Sequence, residues 1–240
     1  MKTLRLSKHR VKPAFLEALH TGYSLMLGIL FLGIGYGVYA KGCGFDAIYP
    51  IGMATFIFAG SMEFICIELL LGTYNPLYAL LLTLVVNGRH LFYGLSMFEK
   101  YKNTGWKKFG LVSGLIDESF SVNYITQLPP YVDRGWFMLF ITLSLYVSWI
   151  SGTVLGTVCG DFFTGIKGIE FVMPSLFIVI FISQWQKESS HTDSLMGIII
   201  AAGCLLLFGK AYFLLPSLLL FSLWGSVRYH LSVKHSKLKP

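Results

Sequence analysis

The stretch ALHTGYSLMLGILFLGIGYGVYA, residues 18–40, runs through 23 positions without an Asp, Glu, Lys or Arg. About 20 apolar residues carry a helix across a bilayer, so the stretch reads as a transmembrane span. It is too long for the apolar core of a cleaved secretory signal. Further charge-free runs follow at 47–62, 69–88, 119–132, 135–160, 171–186, 194–209 and 211–227. The 240 residues are 55% hydrophobic and 13% charged, where soluble domains have roughly a quarter of their positions charged. The expected class is therefore an all-α polytopic membrane protein: a single transmembrane domain over 1–240, embedded in the lipid bilayer, with no room for a soluble catalytic domain.

Charge sets the orientation. Of 19 Lys and Arg residues, 13 fall in three clusters at 2–12, 100–108 and 228–239. Basic loops stay in the cytoplasm, so both termini and the central cluster are expected there, in a multi-pass protein of the inner (plasma) membrane. The net charge of +7 thus reports orientation and not nucleic-acid binding. Parity holds if 14–40, 76–98, 109–126, 137–158, 195–208 and 212–227 cross. Residues 47–71, broken at Gly60-Ser61, and 171–184, broken at Pro174, would then dip in and return. Non-helical backbone at membrane depth must be buried in protein or line a wet cavity. Six crossings and two re-entrant or broken helices make inverted halves, 14–126 and 137–227, an arrangement used by secondary transporters. Gly33-x3-Gly37 in the first span is echoed by Gly152-x3-Gly156-x3-Gly160 in the fourth.

Ionisable residues inside apolar segments are functional suspects. Glu63 follows the Gly60-Ser61 break, at a helix start whose free N–H groups favour an anion, either its own carboxylate or that of a substrate. Glu68 lies about 140° further around an ideal helix and reads as an interfacial group. Arg89, in Asn87-Gly88-Arg89-His90, can fork onto a carboxylate. That carboxylate would belong to a bound amino acid or to Asp117-Glu118. Gly60, Ser61, Glu63, Asn87 and Arg89 are the candidate substrate-binding residues. Glu63, Asp117 and Glu118 are candidates for proton coupling, because a poorly solvated carboxylate pair does not ionise fully at little cost.

Other chemistry lacks its signatures. Cys43, Cys66, Cys159 and Cys204 form no CxxC, and neither a metal site nor a cofactor is expected. HExxH, GxxxxGK[ST] and GxSxG are absent from the sequence, so no catalytic residue is expected and an enzyme is disfavoured. Alternatives to an amino-acid exporter are a transporter of another small metabolite, or a channel or scaffold subunit without a transport cycle. A channel would call for repeated polar rings, whereas the charges here are isolated at helix breaks.

The motifs, taken in order, resemble the AzlC-type branched-chain amino acid exporters. They are Gly22-Tyr23 with Gly28, Gly33 and Gly37, then Ala59-Gly60-Ser61-Met62-Glu63-Phe64, then Asn87-Gly88-Arg89-His90-Leu91-Phe92-Tyr93. Asp117-Glu118-Ser119-Phe120 follows, then Asp161-Phe162 and Glu170-Phe171-Val172-Met173-Pro174-Ser175-Leu176-Phe177. The resemblance covers nearly the whole chain. It implies export of leucine, isoleucine and valine, with methionine as a further substrate, driven by the proton-motive force. It also implies a small, very apolar membrane subunit of the AzlD type as partner. Two positions depart from the family pattern: Glu63 stands where the family often has Gln, and Gly88 occupies the variable place before Arg89. A carboxylate at the break changes the local charge.

Overall fold

The computed structural model describes residues 2–163, 175, 178, 181, 182, 185, 186 and 191–236, and the regular structure among these is all α-helical. Among the described residues three helices are long and apolar enough to cross a membrane: Val11–Gly42 within α1 (Lys2–Gly42), Arg134–Gly160 within α8 (Arg134–Phe163) and Thr192–Gly209 within α9 (Thr192–Tyr212). The chain forms two compact units, one from residues 1–73 and 87–176, the other from 74–86 and 177–240.

The first unit is built on α1 and α8. The glycines that echoed one another in the sequence are two sides of one contact. A Cβ on Gly37 would stand 2.4 Å from the Thr153 carbonyl oxygen, and one on Gly152 or Gly156 would stand 2.2 Å from the Leu30 or Ile34 carbonyl oxygen. Backbone therefore meets backbone, the close approach that small residues at four-residue spacing permit. The register rises together on both helices: Phe15 meets Phe140, Gly33 meets Gly152, Gly37 meets Gly156 and Lys41 meets Gly160. The two helices are parallel. Inverted halves would set the helices at 14–40 and 137–158 in opposite senses, so this pair departs from that expectation.

Two hairpins lean on this pair from opposite ends. The first is α2 (Ile48–Phe56) and α3 (Ser61–Leu71). It starts beside the C-terminal end of α1, where Phe45 and Tyr49 are in ring contact. At its inner end the Tyr146 hydroxyl donates to the Thr55 carbonyl at 2.8 Å. It returns to the same end, where the Tyr39 hydroxyl donates to Glu68. The expected break at Gly60-Ser61 is present, with Phe58 at φ 47° and Gly60 at φ 45°. Gly60 has no Cβ to oppose that left-handed backbone.

The second hairpin is α6 (Lys107–Ser113) and α7 (Asp117–Ile125). It corrects the expectation of one continuous crossing over 109–126. Lys107 lies over the Trp136 ring, Gly110 abuts Leu139 and Gly114 abuts Thr142, so α6 climbs α8 from its start. Asn123 then donates to Thr142 at 3.5 Å, and the Lys100 ammonium donates to the Tyr124 carbonyl at 2.5 Å, back at the basic end. Ser119 makes the turn. Its hydroxyl accepts the Ile116 N–H at 2.9 Å and stands 3.0 Å from the Gly114 carbonyl, while Asp117 and Glu118 occupy the first turn of α7, where the helix dipole favours them. At 1.5 Å per residue along α8, this tip lies about 12 Å from Arg134, and the first hairpin's tip, near Trp149, about 22 Å.

The expected crossing 76–98 is two helices, α4 (Pro76–Asn87) and α5 (Arg89–Met97), joined through Gly88, which keeps helical dihedrals of φ −54°, ψ −28°. In the second unit, the Asn75 side-chain oxygen caps α4 by accepting the N–H groups of Leu77 and Tyr78 at 3.0 and 3.1 Å, with Pro76 at the first helical position. There α9 and α10 (Leu214–Ser236) pack antiparallel. Asp193 accepts the Trp224 indole N–H at 3.2 Å and pairs with Arg228, and Gly197 faces the Phe221 ring. Pro174, the expected break in 171–184, lies outside the described residues.

Candidate functional site

Glu63 sits in the first turn of α3 and is fully buried. Its carboxylate accepts the Ala59 N–H at 2.9 Å and the Trp149 indole N–H, which lies 3.2 Å from each oxygen. The reach back to Ala59 closes the turn around Gly60, and the Trp149 bond ties the hairpin tip to α8. Tyr36 from α1 stacks on Trp149 with centroids 5.6 Å apart and meets Phe64 edge-on at 5.0 Å. The Tyr36 hydroxyl is buried and has no hydrogen-bond partner among the described residues. Glu63 is thus held by protein donors on both oxygens, and its geometry is that of a group that shapes the tip.

That bonding is testable. Trp149→Phe keeps a ring against Tyr36 and deletes a side-chain donor to a buried carboxylate. A hydrogen bond to a charged group is worth about 1.5–3 kcal/mol, so the melting temperature in detergent is expected to fall. Adding Glu63→Gln, which removes the charge, is expected to recover part of the loss. Equal melting temperatures for parent and Trp149→Phe would mean that the indole bond does not hold the tip.

Arg89 opens α5 and joins the two hairpins. One guanidinium nitrogen lies 2.6 Å from an Asp117 carboxylate oxygen at the start of α7, and another donates to the Ser61 hydroxyl at 3.3 Å at the start of α3. The side chains of Arg89 and Asp117 are 43% and 36% exposed, so the pair stays accessible. Five N–H donors on one plane leave Arg89 with capacity for another acceptor. Glu118 is half-buried beside Asp117. The carbonyl of Asn87 lies 3.1 Å from His90 Nδ1, and its side-chain oxygen is buried without a partner among the described residues. Tyr93 stacks on Phe120 at 4.4 Å, fastening α5 to α7 and giving the site an aromatic wall.

Ser61, Arg89 and Asp117 therefore meet directly. Gly60 and Glu63 support the Ser61 side, while Asn87 reaches the group only through the α4–α5 junction. The sequence reading missed Trp149 and Tyr36, whose partners Glu63 and Phe64 lie 86 and 28 residues away. It also missed the turn at 114–116. There Ser113-Gly114 followed by Asp117-Glu118-Ser119 is a helix stop and a helix start in succession, a signal that was available.

A family model described as AzlC protein matches residues 24–163, a range that holds every residue of this site. The chain is 47% identical over 213 residues to the branched-chain amino acid transport protein AzlC of Bacillus subtilis, covering 88% of this chain and 84% of that one. A membrane protein of Haemophilus influenzae is 43% identical over 217 residues, covering 90% and 88%. The inner membrane protein YgaZ of Escherichia coli is 25% identical over 191 residues, covering 73% and 75%. No solved structure matches the chain. With both hairpins and the ionisable cluster inside the matched region, the chain belongs to the AzlC family of membrane proteins.

Proposed function

We propose that the chain is a secondary exporter of branched-chain amino acids, carrying leucine, isoleucine, valine and also methionine out of the cytoplasm. It works across the inner membrane with a small AzlD-type subunit and draws on the proton-motive force. Arg89, suspended between Ser61 of one hairpin and Asp117 of the other, is the observation that carries this reading. An amino acid needs a cation for its carboxylate and an anion for its ammonium, and Arg89 and Asp117 are such a pair. Gly60, Ser61, Glu63, Asn87 and Arg89 form the proposed binding residues, with Tyr93 and Phe120 toward the apolar side chain. The name of the Bacillus subtilis relative supports the substrate class.

In the same reading the basic ends of α1 and α8 face the cytoplasm. The hairpin 48–71 then enters from outside and the hairpin 107–125 from inside, and their tips meet Arg89. The basic C-terminal segment is also cytoplasmic in this reading. Asp117, Glu118 and Glu63 are the proposed proton-coupling carboxylates. Asp117 is the best placed, since bound substrate and proton would compete for it.

An apolar wall discriminates one methylene by only about 1–3 kcal/mol, so the four amino acids compete for one site. Ser61→Leu is expected to lower efflux of all four at least about tenfold, with the protein still in the membrane. Proteoliposomes holding the chain and its AzlD-type partner, loaded with labelled leucine, make the measurement. Unchanged efflux by this variant would place the substrate elsewhere.

A further inference from the structure

At the basic end of the first unit a cleft of about 250 Å³ is lined by Lys100, Lys102, Thr104, Lys107, Asp133 and Arg134, with Gly135 at the start of α8. Four cations and one carboxylate line it, and that carboxylate is committed: Asp133 accepts the Trp136 N–H at 3.0 Å, capping α8. Lys102 pairs with Glu99 at 3.6 Å, away on the surface. Lys107 rests over the Trp136 ring, and Arg134 makes no ion pair among the described residues. Burial and, after it, the charge of Arg134 push the Lys100 ammonium pKa down. Beside the cleft Trp106 meets Trp136 edge-on at 5.8 Å, and Trp106, Phe98 and Phe109 are exposed. Tryptophans in that position mark the level of lipid headgroups.

We propose that this cleft binds a phosphate-bearing anion, supplied either by an anionic phospholipid headgroup or by free phosphate. Tryptophan fluorescence of the purified full chain in mixed micelles tests it, because Trp136 and Trp106 border the cleft. Brominated phosphatidylglycerol is expected to half-quench at about fivefold lower mole fraction than brominated phosphatidylcholine, the worth of roughly one basic residue at an anionic surface. Arg134→Gln and Lys107→Gln are each expected to remove most of that preference, and Lys12→Gln, outside the cleft, to keep it. In a parallel arm, millimolar inorganic phosphate that raises the melting temperature of the parent but not of Arg134→Gln supports the site with free phosphate as its source. Equal quenching by both lipids together with no stabilisation by phosphate overturns the proposal. So does a preference that survives both cleft variants or that Lys12→Gln abolishes as fully as they do.

Discussion

Replacing Gly156 by leucine is expected to empty the membrane fraction of folded protein. Its Cβ would lie 2.2 Å from the Ile34 carbonyl oxygen and 3.0 Å from Gly37 Cα, and neither is a side chain that can turn aside. The parallel pair must separate along its length, and every contact between Gly33 and Gly160 loosens with it. Overpacking a well-filled contact by a methyl costs about 1–3 kcal/mol. Gly156→Ala is therefore expected to lower the melting temperature clearly and Gly156→Leu to prevent assembly. Gly28→Ala serves as control, since nothing lies within 4 Å of the added Cβ, and it is expected to behave as the parent. Gly37→Ala combined with Gly156→Ala should cost less than the two single losses together, because both relieve themselves by the same separation. Size-exclusion profiles and thermal unfolding in detergent decide it. A parent-like profile for Gly156→Leu would contradict the contact.

Arg89→Leu is expected to abolish amino-acid efflux, by a factor of at least about a hundred, without loss of protein. A partly exposed ion pair adds at most about 1 kcal/mol to stability, so the fold does not depend on Arg89 as it does on Gly156. Arg89→Lys keeps the charge and loses the planar fork, and an intermediate rate is expected. The informative variant exchanges the partners, Arg89→Asp with Asp117→Arg. If the pair only fastens α5 to α7, the exchange restores efflux. If the guanidinium must face Ser61 to take the substrate carboxylate, the exchanged protein remains inactive. Asp117→Asn separates the other role: a residue that carries the coupling proton loses efflux driven by an imposed pH gradient and retains leucine exchange. Full efflux by Arg89→Leu would remove the residue from the mechanism.

Much of this was legible in the sequence, for physical reasons that differ from residue to residue. The 23-residue apolar run at 18–40 and the glycines of α1 and α8 declare membrane helices and close packing. Gly60-Ser61 declares a break because glycine alone accepts φ 45° without strain. Glu63, Arg89 and Asp117 are conspicuous as charges among apolar neighbours. The pairing was less legible. Gly33-x3-Gly37 and Gly152-x3-Gly156 look the same whether they pack on one another or each on a different helix, and the parallel sense of the contact is set by chain topology. Residues 109–126 have the length and apolarity of a crossing. What turns them back is Ser119 capping Ile116, a single hydrogen bond at 2.9 Å that outweighs nothing in a hydropathy profile. Trp149 and Tyr36 were indistinguishable from the other 36 aromatic residues until Glu63 was placed beside Trp149 at the hairpin tip.

The glycine contact also bears on biogenesis. Gly152 follows Gly33 by 119 residues, and chains are synthesised at about 5–20 residues per second. On the order of ten seconds therefore separate the emergence of the two faces from the ribosome. During that interval α1 stands in the bilayer with its small-residue groove facing lipid or the insertion machinery, and α2 through α7 are threaded before its mate arrives. The nascent chain has to keep that groove vacant, and any helix with small residues in suitable register that reaches it first diverts assembly.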